Sequence, residues 1–229
     1  MEAVVLAGGF GNRLRSVVSD VPKPMAPIAG QPFLEILLTL LSRKGFSRVV
    51  LSLGYLADKV VSYFGPSFQG MELVYEVEQT PLGTGGAVGA ALRRCEQDHV
   101  YIFNGDTFLD LEVAQVESNW RETMRPLLVA CEVLDTSRYG RIQVLDGRLT
   151  GFLEKGESGP GLINAGCYVL PPDFLENFKI NRPFSLEADF IAKTLSSAEI
   201  GVFLTSGRFI DIGVPEDFAR AQNELSGFL

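Results

Sequence analysis

The residues best placed to do chemistry lie near the start of the chain, and they are cations beside glycines. Gly8-Gly9-Phe10-Gly11 is followed at once by Arg13 and Arg15, and Lys23 stands between Pro22 and Pro24. A glycine-rich turn lets backbone approach a ligand closely. Two prolines make a stiff segment that holds one amine in a fixed place. The chain as a whole carries a formal net charge of −8, so this is a local basic patch on an acidic background. That contrast points to a small phosphorylated ligand and away from a nucleic-acid surface.

The glycines match neither of two common phosphate motifs. There is no Gly-Lys pair for a P-loop, and Leu14 occupies the third small position of a dinucleotide fingerprint. A plain strand-to-helix turn with surface arginines stays open at this point. Two acids are further candidates. Asp106 follows the apolar run Val100–Phe103, where open α/β sheets place ligands, and suits a magnesium ion shared with phosphate oxygens. A simple Asn104-Gly105-Asp106 turn is the alternative. Asp211, in Phe209-Ile210-Asp211-Ile212-Gly213, reads either as a turn or cap before a helix or as a second carboxylate on the same metal. The segment Glu78–Gly86, rich in glycine, could lay a flat base against backbone or simply open a helix.

Taken together, Leu6-Ala7-Gly8-Gly9-x-Gly11-x-Arg13-Leu14 followed by Pro22-Lys23-Pro24 resembles the signature of the sugar-1-phosphate nucleotidylyltransferases. The likeness runs along nearly the whole chain. It implies that Leu6, Ala7, Gly8, Gly9 and Gly11 wrap a nucleoside triphosphate, with Glu78, Gly83, Thr84 and Gly105 on the same nucleotide side. It implies catalytic roles for Arg13 and Lys23 at the phosphates, and Mg²⁺ as cofactor held by Asp106 and Asp211. Gly140, Glu154, Lys155, Asn164 and Glu187 fall at the family's sugar-phosphate positions, Glu187 being the weakest match. Ser16 departs from a proline found in many members. The variant Arg13-Leu14-Arg15-Ser16-Val17-Val18-Ser19-Asp20-Val21-Pro22-Lys23-Pro24-Met25, with Pro81–Ala87, is similar to the branch that guanylylates D-glycero-α-D-manno-heptose 1-phosphate. A UTP- or dTTP-dependent hexose or amino-sugar enzyme is the nearest alternative, and a non-catalytic nucleotide-sugar sensor is one of another class. Lys23 and Arg13 are expected to be exposed in the empty cleft.

The elements that must position these residues read as α/β. Strands are expected at Val4–Ala7, Val49–Leu53, Leu73–Val77 and Val100–Phe103, with helices over 33–44, 57–64 and from the glycine loop to about Arg94. Alternation of this kind implies a doubly wound, mostly parallel Rossmann-like sheet. From about Leu127 the pattern becomes antiparallel, with Asp146-Gly147 as a hairpin signal, and reads as a sugar-binding elaboration grafted on the sheet. Helices are expected again at 172–177, 186–196 and 215–225. The 229 residues read as a single domain, 1–125 mainly for nucleotide and 126–229 mainly for sugar and sheet completion.

Composition narrows the function classes. Apolar residues make up 46%, yet no run of about 18 of them occurs, so a spanning helix is not expected. Three widely spaced cysteines fit reduced thiols, and with no signal-peptide pattern the expected location is cytoplasmic. One histidine leaves no His-rich zinc site. The expected partners are small-molecule substrates, an NTP and a sugar 1-phosphate, with no nucleic acid or membrane. The sequence does not set the oligomeric state.

Overall fold

The computed structural model describes residues 1–9, 21–153, 158–178 and 182–227. In chain order its elements are β1 (Glu2–Leu6), β2 (Pro27–Ile28), β3 (Gln31–Pro32), α1 (Phe33–Arg43), β4 (Arg48–Leu53), α2 (Ala57–Phe64), β5 (Ser67–Phe68), β6 (Met71–Val77), α3 (Gly83–Leu92), β7 (Val100–Asn104) and β8 (Thr107–Leu109). There follow α4 (Val113–Thr123), β9 (Leu127–Val133), β10 (Ile142–Leu145), β11 (Arg148–Phe152), β12 (Gly161–Leu170), a π-helical turn Leu186–Ile191 running into α5 (Ala192–Thr194), β13 (Gly201–Leu204), β14 (Phe209–Asp211) and α6 (Pro215–Glu224).

Ten strands make one sheet in the order β10-β11-β13-β9-β12-β7-β1-β4-β6-β5. Its middle, β7-β1-β4-β6, is parallel. Ala3 and Val5 of β1 face one apolar cluster and Val4 faces the other, the period-2 alternation of a strand covered on both sides. Helices α1, α2 and α4 bury their stripes on the first face, and α3 with the π-helical turn covers the second. The expected doubly wound sheet is present.

The antiparallel half joins the same sheet as expected, through β12 pairing antiparallel with β7, although β13 runs parallel to β9. Two expectations need correction. Residues 172–177 do not form a helix. Phe174, Glu176 and Phe178 donate to carbonyls three residues back, which gives successive turns after two prolines. The expected helix over 186–196 is a π-helical turn with only a short α-helical end. The Asp146-Gly147 hairpin forms as the residues dictate, both with positive φ (50° and 72°) and Leu145 opposite Arg148.

A small second layer matters most for the site. β8 pairs antiparallel with β14, outside the main sheet. Phe108, Ile210 and Ile212 are fully buried between this pair, α1 and α6. Each contributes about 1.5–3 kcal/mol by burial, which anchors two short strands whose few hydrogen bonds could not hold them alone.

Candidate active site

The parallel strands end together, and that is where the candidate residues meet. Asn104 lies opposite Leu6 in the β1–β7 register. The Gly105 N–H donates to the Leu6 carbonyl (2.9 Å), Ala7 N–H to Ser52 O (2.8 Å) and Glu78 N–H to Leu53 O (2.8 Å). β1 connects through α1 to β4 on one side while its other neighbour is β7, so the strand order reverses between β1 and β7. Open α/β sheets bind ligands outside the carboxyl ends of strands at such a point. A cavity of about 500 Å³ opens there, lined by Leu6, Ala7, Gly8, Gly9, Lys23, Glu78, Gly83, Thr84, Gly105 and Asp106 among others. Gly105 is required by this packing, since a Cβ would lie 2.6 Å from Leu6 O.

Asp106 and Asp211 come together through β8 and β14. Asp211 is opposite Thr107, and Ile212 N–H donates to the Asp106 carbonyl (2.9 Å). Asp211 Oδ1 accepts the Gly213 N–H (2.7 Å), the local turn that its surroundings suggest. Burial pushes the Asp211 carboxyl above its ordinary range and the nearby charge of Asp106 adds to this, opposed by Lys23 and the Gly213 hydrogen bond. Lys23 is carried by a short 3-10 turn whose Pro24 and Met25 are buried. Its ammonium is bonded to Asp106 Oδ2, with the side chain only 11% exposed. Lys23 is therefore closed onto an acid, not exposed in an open cleft.

Two carboxylates side by side offer hard oxygen donors. Among the described residues no group of three or more His, Cys, Asp or Glu forms a metal cage. A pair of this kind fits Mg²⁺, which takes one or two carboxylates and completes its shell with phosphate oxygens and water.

The glycine loop serves two purposes. Gly83 and Thr84 line the cavity. Gly85 instead makes room for Phe184, whose ring would lie 2.1 Å from an added Cβ, and Gly85 N–H donates to Phe184 O (3.0 Å). Part of the glycine content is thus packing, not base contact. Glu78 lines the cavity and accepts the Leu82 N–H (3.0 Å), and burial pushes its carboxyl up.

On the other side, Asn164 and Glu187 join one hydrogen-bonded network with Tyr168, while Gly140 packs against Leu153 O. None of these three residues lines the cavity. Gly11, Arg13, Glu154 and Lys155 lie outside the described residues. Sequence reasoning passed over Tyr168, which looks like an ordinary strand tyrosine, and Arg138, which pairs with buried Asp217 (2.7 Å) and stands over the Tyr139 ring (5.6 Å). Arg138 had a signal in Tyr139-Gly140 beside it; Tyr168 had none.

The nucleotidyl transferase family model matches residues 2–227. This chain belongs to the nucleotidyl transferase family. The family member is 38% identical over 230 residues to a D-glycero-alpha-D-manno-heptose 1-phosphate guanylyltransferase from Aneurinibacillus thermoaerophilus, covering 100% of both chains. It is 36% identical to the enzyme of the same name from Campylobacter jejuni, over 95% of this chain and 97% of that one. Its fold superposes on HddC from Yersinia pseudotuberculosis, solved in complex with GMP-PN, with a TM-score of 0.88 and 35% identity over 98% and 99% of the two chains. The transferase thus shares length, fold and sequence with these relatives from end to end. No helix among its described residues is long and apolar enough to cross a membrane.

Proposed function

We propose that this chain transfers GMP from GTP to D-glycero-α-D-manno-heptose 1-phosphate, releasing pyrophosphate. The observation that carries the reading is the meeting of Lys23, Asp106 and Asp211 where the parallel strands end, Lys23 and Asp106 lining the cavity. A phosphate oxygen of the sugar 1-phosphate attacks the α-phosphorus. The bond from that phosphorus to the bridging oxygen breaks, and pyrophosphate carries the electron pair away. No protein nucleophile is required, so the chain contributes alignment and charge neutralisation.

Asp106 and Asp211 are the residues to hold Mg²⁺, which when bound supplies Lewis-acid polarisation of the α-phosphate. Lys23 neutralises phosphate charge, and Arg13 holds the departing pyrophosphate portion. Lys155 takes the sugar phosphate, with Gly140, Glu154, Asn164 and Glu187 arranged about the sugar. Leu6, Ala7, Gly8, Gly9, Gly11, Gly83, Thr84 and Gly105 form the nucleotide cradle.

The base preference rests on Glu78. A carboxylate only accepts hydrogen bonds. Guanine offers two adjacent donors, N1–H and the N2 amino group. Uracil and thymine offer one N–H flanked by two carbonyls, which would face the carboxylate unfavourably. A partly buried carboxylate gains most from the first pattern.

Initial rates of pyrophosphate release test this with GTP, UTP, dTTP and CTP against heptose, mannose and glucose 1-phosphates. GTP with the heptose 1-phosphate is expected to be fastest. If UTP or dTTP exceeds GTP with every sugar, the guanylyl reading is wrong and nucleotidyl transfer stands.

A further inference from the structure

Tyr168 is fully buried in β12, at 1% exposure, yet its hydroxyl lies at the centre of a polar network. It donates to Glu187 Oε1 (2.5 Å) and accepts from Asn164 Nδ2. Burial pushes the phenol far above its ordinary pKa and the Glu187 charge adds to this, so the hydroxyl keeps its proton and remains a donor. Asn164 Oδ1 meanwhile accepts Gly166 N–H (3.0 Å), at an irregularity in β12 where its register against β9 shifts.

Glu187 is also tied in the other direction. Its Oε2 accepts from Ser185 Oγ (3.0 Å) and from Thr84 Oγ1 (3.4 Å). The segment that carries it is fastened to the start of α3: Phe184 N–H donates to Leu82 O (3.0 Å), Gly85 N–H to Phe184 O (3.0 Å), and Leu186 N–H to Thr84 Oγ1 (2.9 Å). Residues 184–187 are therefore fastened directly to the glycine loop that lines the cavity. The chain here is π-helical, a geometry that costs helix stability and that recurs at functional sites.

We propose that Tyr168 is a positioning residue that couples the two substrate subsites: its hydroxyl joins Asn164 on the sugar side to Glu187, and through Glu187 to Thr84 on the nucleotide side. The inference rests on the reading of Asn164 and Glu187 as sugar-side residues. Tyr168 touches no substrate itself. With the phenol in place, ordering of the loop by nucleotide also orders the groups that receive the sugar, and the sugar 1-phosphate binds more tightly after the nucleotide than before it. Coupling of this kind is a free energy shared by both ligands.

The test is Tyr168→Phe, which keeps the ring and deletes only the oxygen. Calorimetry gives the dissociation constant of the heptose 1-phosphate with and without a non-hydrolysable GTP analogue. In the parent protein the analogue is expected to tighten sugar binding at least about fivefold. In the variant that gain is expected to fall below twofold, and the KM for the sugar 1-phosphate to rise about tenfold. Affinity for the analogue alone should stay within twofold. An equal gain in both proteins, or parallel loss of affinity for both ligands, overturns the coupling and leaves the proposed function intact. A parent protein that binds no sugar 1-phosphate overturns both. Glu187→Gln, which keeps shape and removes charge, is expected to reproduce the same split, and an unchanged gain in that variant also overturns the coupling.

Discussion

The ammonium of Lys23 is bonded to Oδ2 of Asp106, across 83 residues of chain, at the place where the parallel strands end. Asp106 lies beside Asp211, and the charge of Lys23 acts on both acids. Asp106→Asn keeps the shape and removes the charge. Pyrophosphate release is expected to fall roughly 100-fold or more, and Lys23→Ala to fall with it. Circular dichroism melting checks that the fold survives. Near-normal turnover of Asp106→Asn at saturating Mg²⁺ would remove this acid from the metal.

Asp211 behaves differently in stability and in activity. Burial and Asp106 raise its carboxyl, so ionising it in the folded state costs free energy that the unfolded chain does not spend. That cost is complete above the raised pKa and absent below the unfolded value of about 3.9. Asp211→Asn escapes it while keeping an acceptor for Gly213 N–H. The variant is expected to be inactive, yet to melt above the parent at pH 8, with the difference closing as the pH falls to about 3.9. A lower Tm at pH 8 would show that the carboxylate is structural.

Glu78 tests base choice. Glu78→Gln replaces an acceptor-only group by an amide that also donates. The kcat/KM for GTP is expected to drop about 100-fold, with UTP and dTTP losing much less. Equal losses for all three nucleotides would mean that Glu78 supports the loop through Leu82 and does not read the base.

The glycines divide by role. An alanine Cβ at Gly85 would fall against the Phe184 ring, whereas at Gly9 it would meet nothing within 4 Å among the described residues. Gly85→Ala is expected to cost about 1–3 kcal/mol, several degrees of Tm. Gly9→Ala should leave Tm unchanged and raise the KM for nucleotide. Calorimetric melting of both variants, with and without GTP, measures the contrast.

Glu112 holds the approach to β14. Its carboxylate accepts from Thr205, from Ser206 N–H (3.0 Å) and from Ser206 Oγ (2.7 Å). Burial opposes its ionisation, but these bonds outweigh burial and leave the carboxyl below its ordinary value. The stabilisation is therefore present above the unfolded pKa of about 4.3 and is lost as the pH falls through the lowered value. Glu112→Gln is expected to lower Tm by a few degrees at pH 7, and the difference to close as the pH falls through the lowered value. A constant difference at all pH values would contradict the assignment.

Much of the fold was legible because periodicity reports burial. Helix 57–64 carries Ala57, Val60 and Phe64 inward, and its bounds follow the pattern to the residue. Helix α4 was illegible for the converse reason. It buries only Val113, Val116 and Trp120 along a polar surface, and its first turn has no side-chain cap. At the site, the glycine turn, Lys23, Asp106 and Asp211 were visible as residue types at strand ends. Their mutual geometry was not, because the β8–β14 pairing depends on an apolar cluster assembled from distant segments. The dual use of the glycine loop was hidden likewise, since Phe184 reaches it from nearly a hundred residues away.

The position of β14 also sets an order in time. The ten-stranded sheet is complete in sequence once β13 has been made, at Leu204. Asp106 by then has long been available, but its partner Asp211 arrives only with the next strand, outside that sheet. A growing chain could thus have its central scaffold in place while it still lacks the pair of acids proposed to hold the divalent ion. On the proposed reading of these acids, chemical competence waits for three residues that follow the central scaffold in the chain.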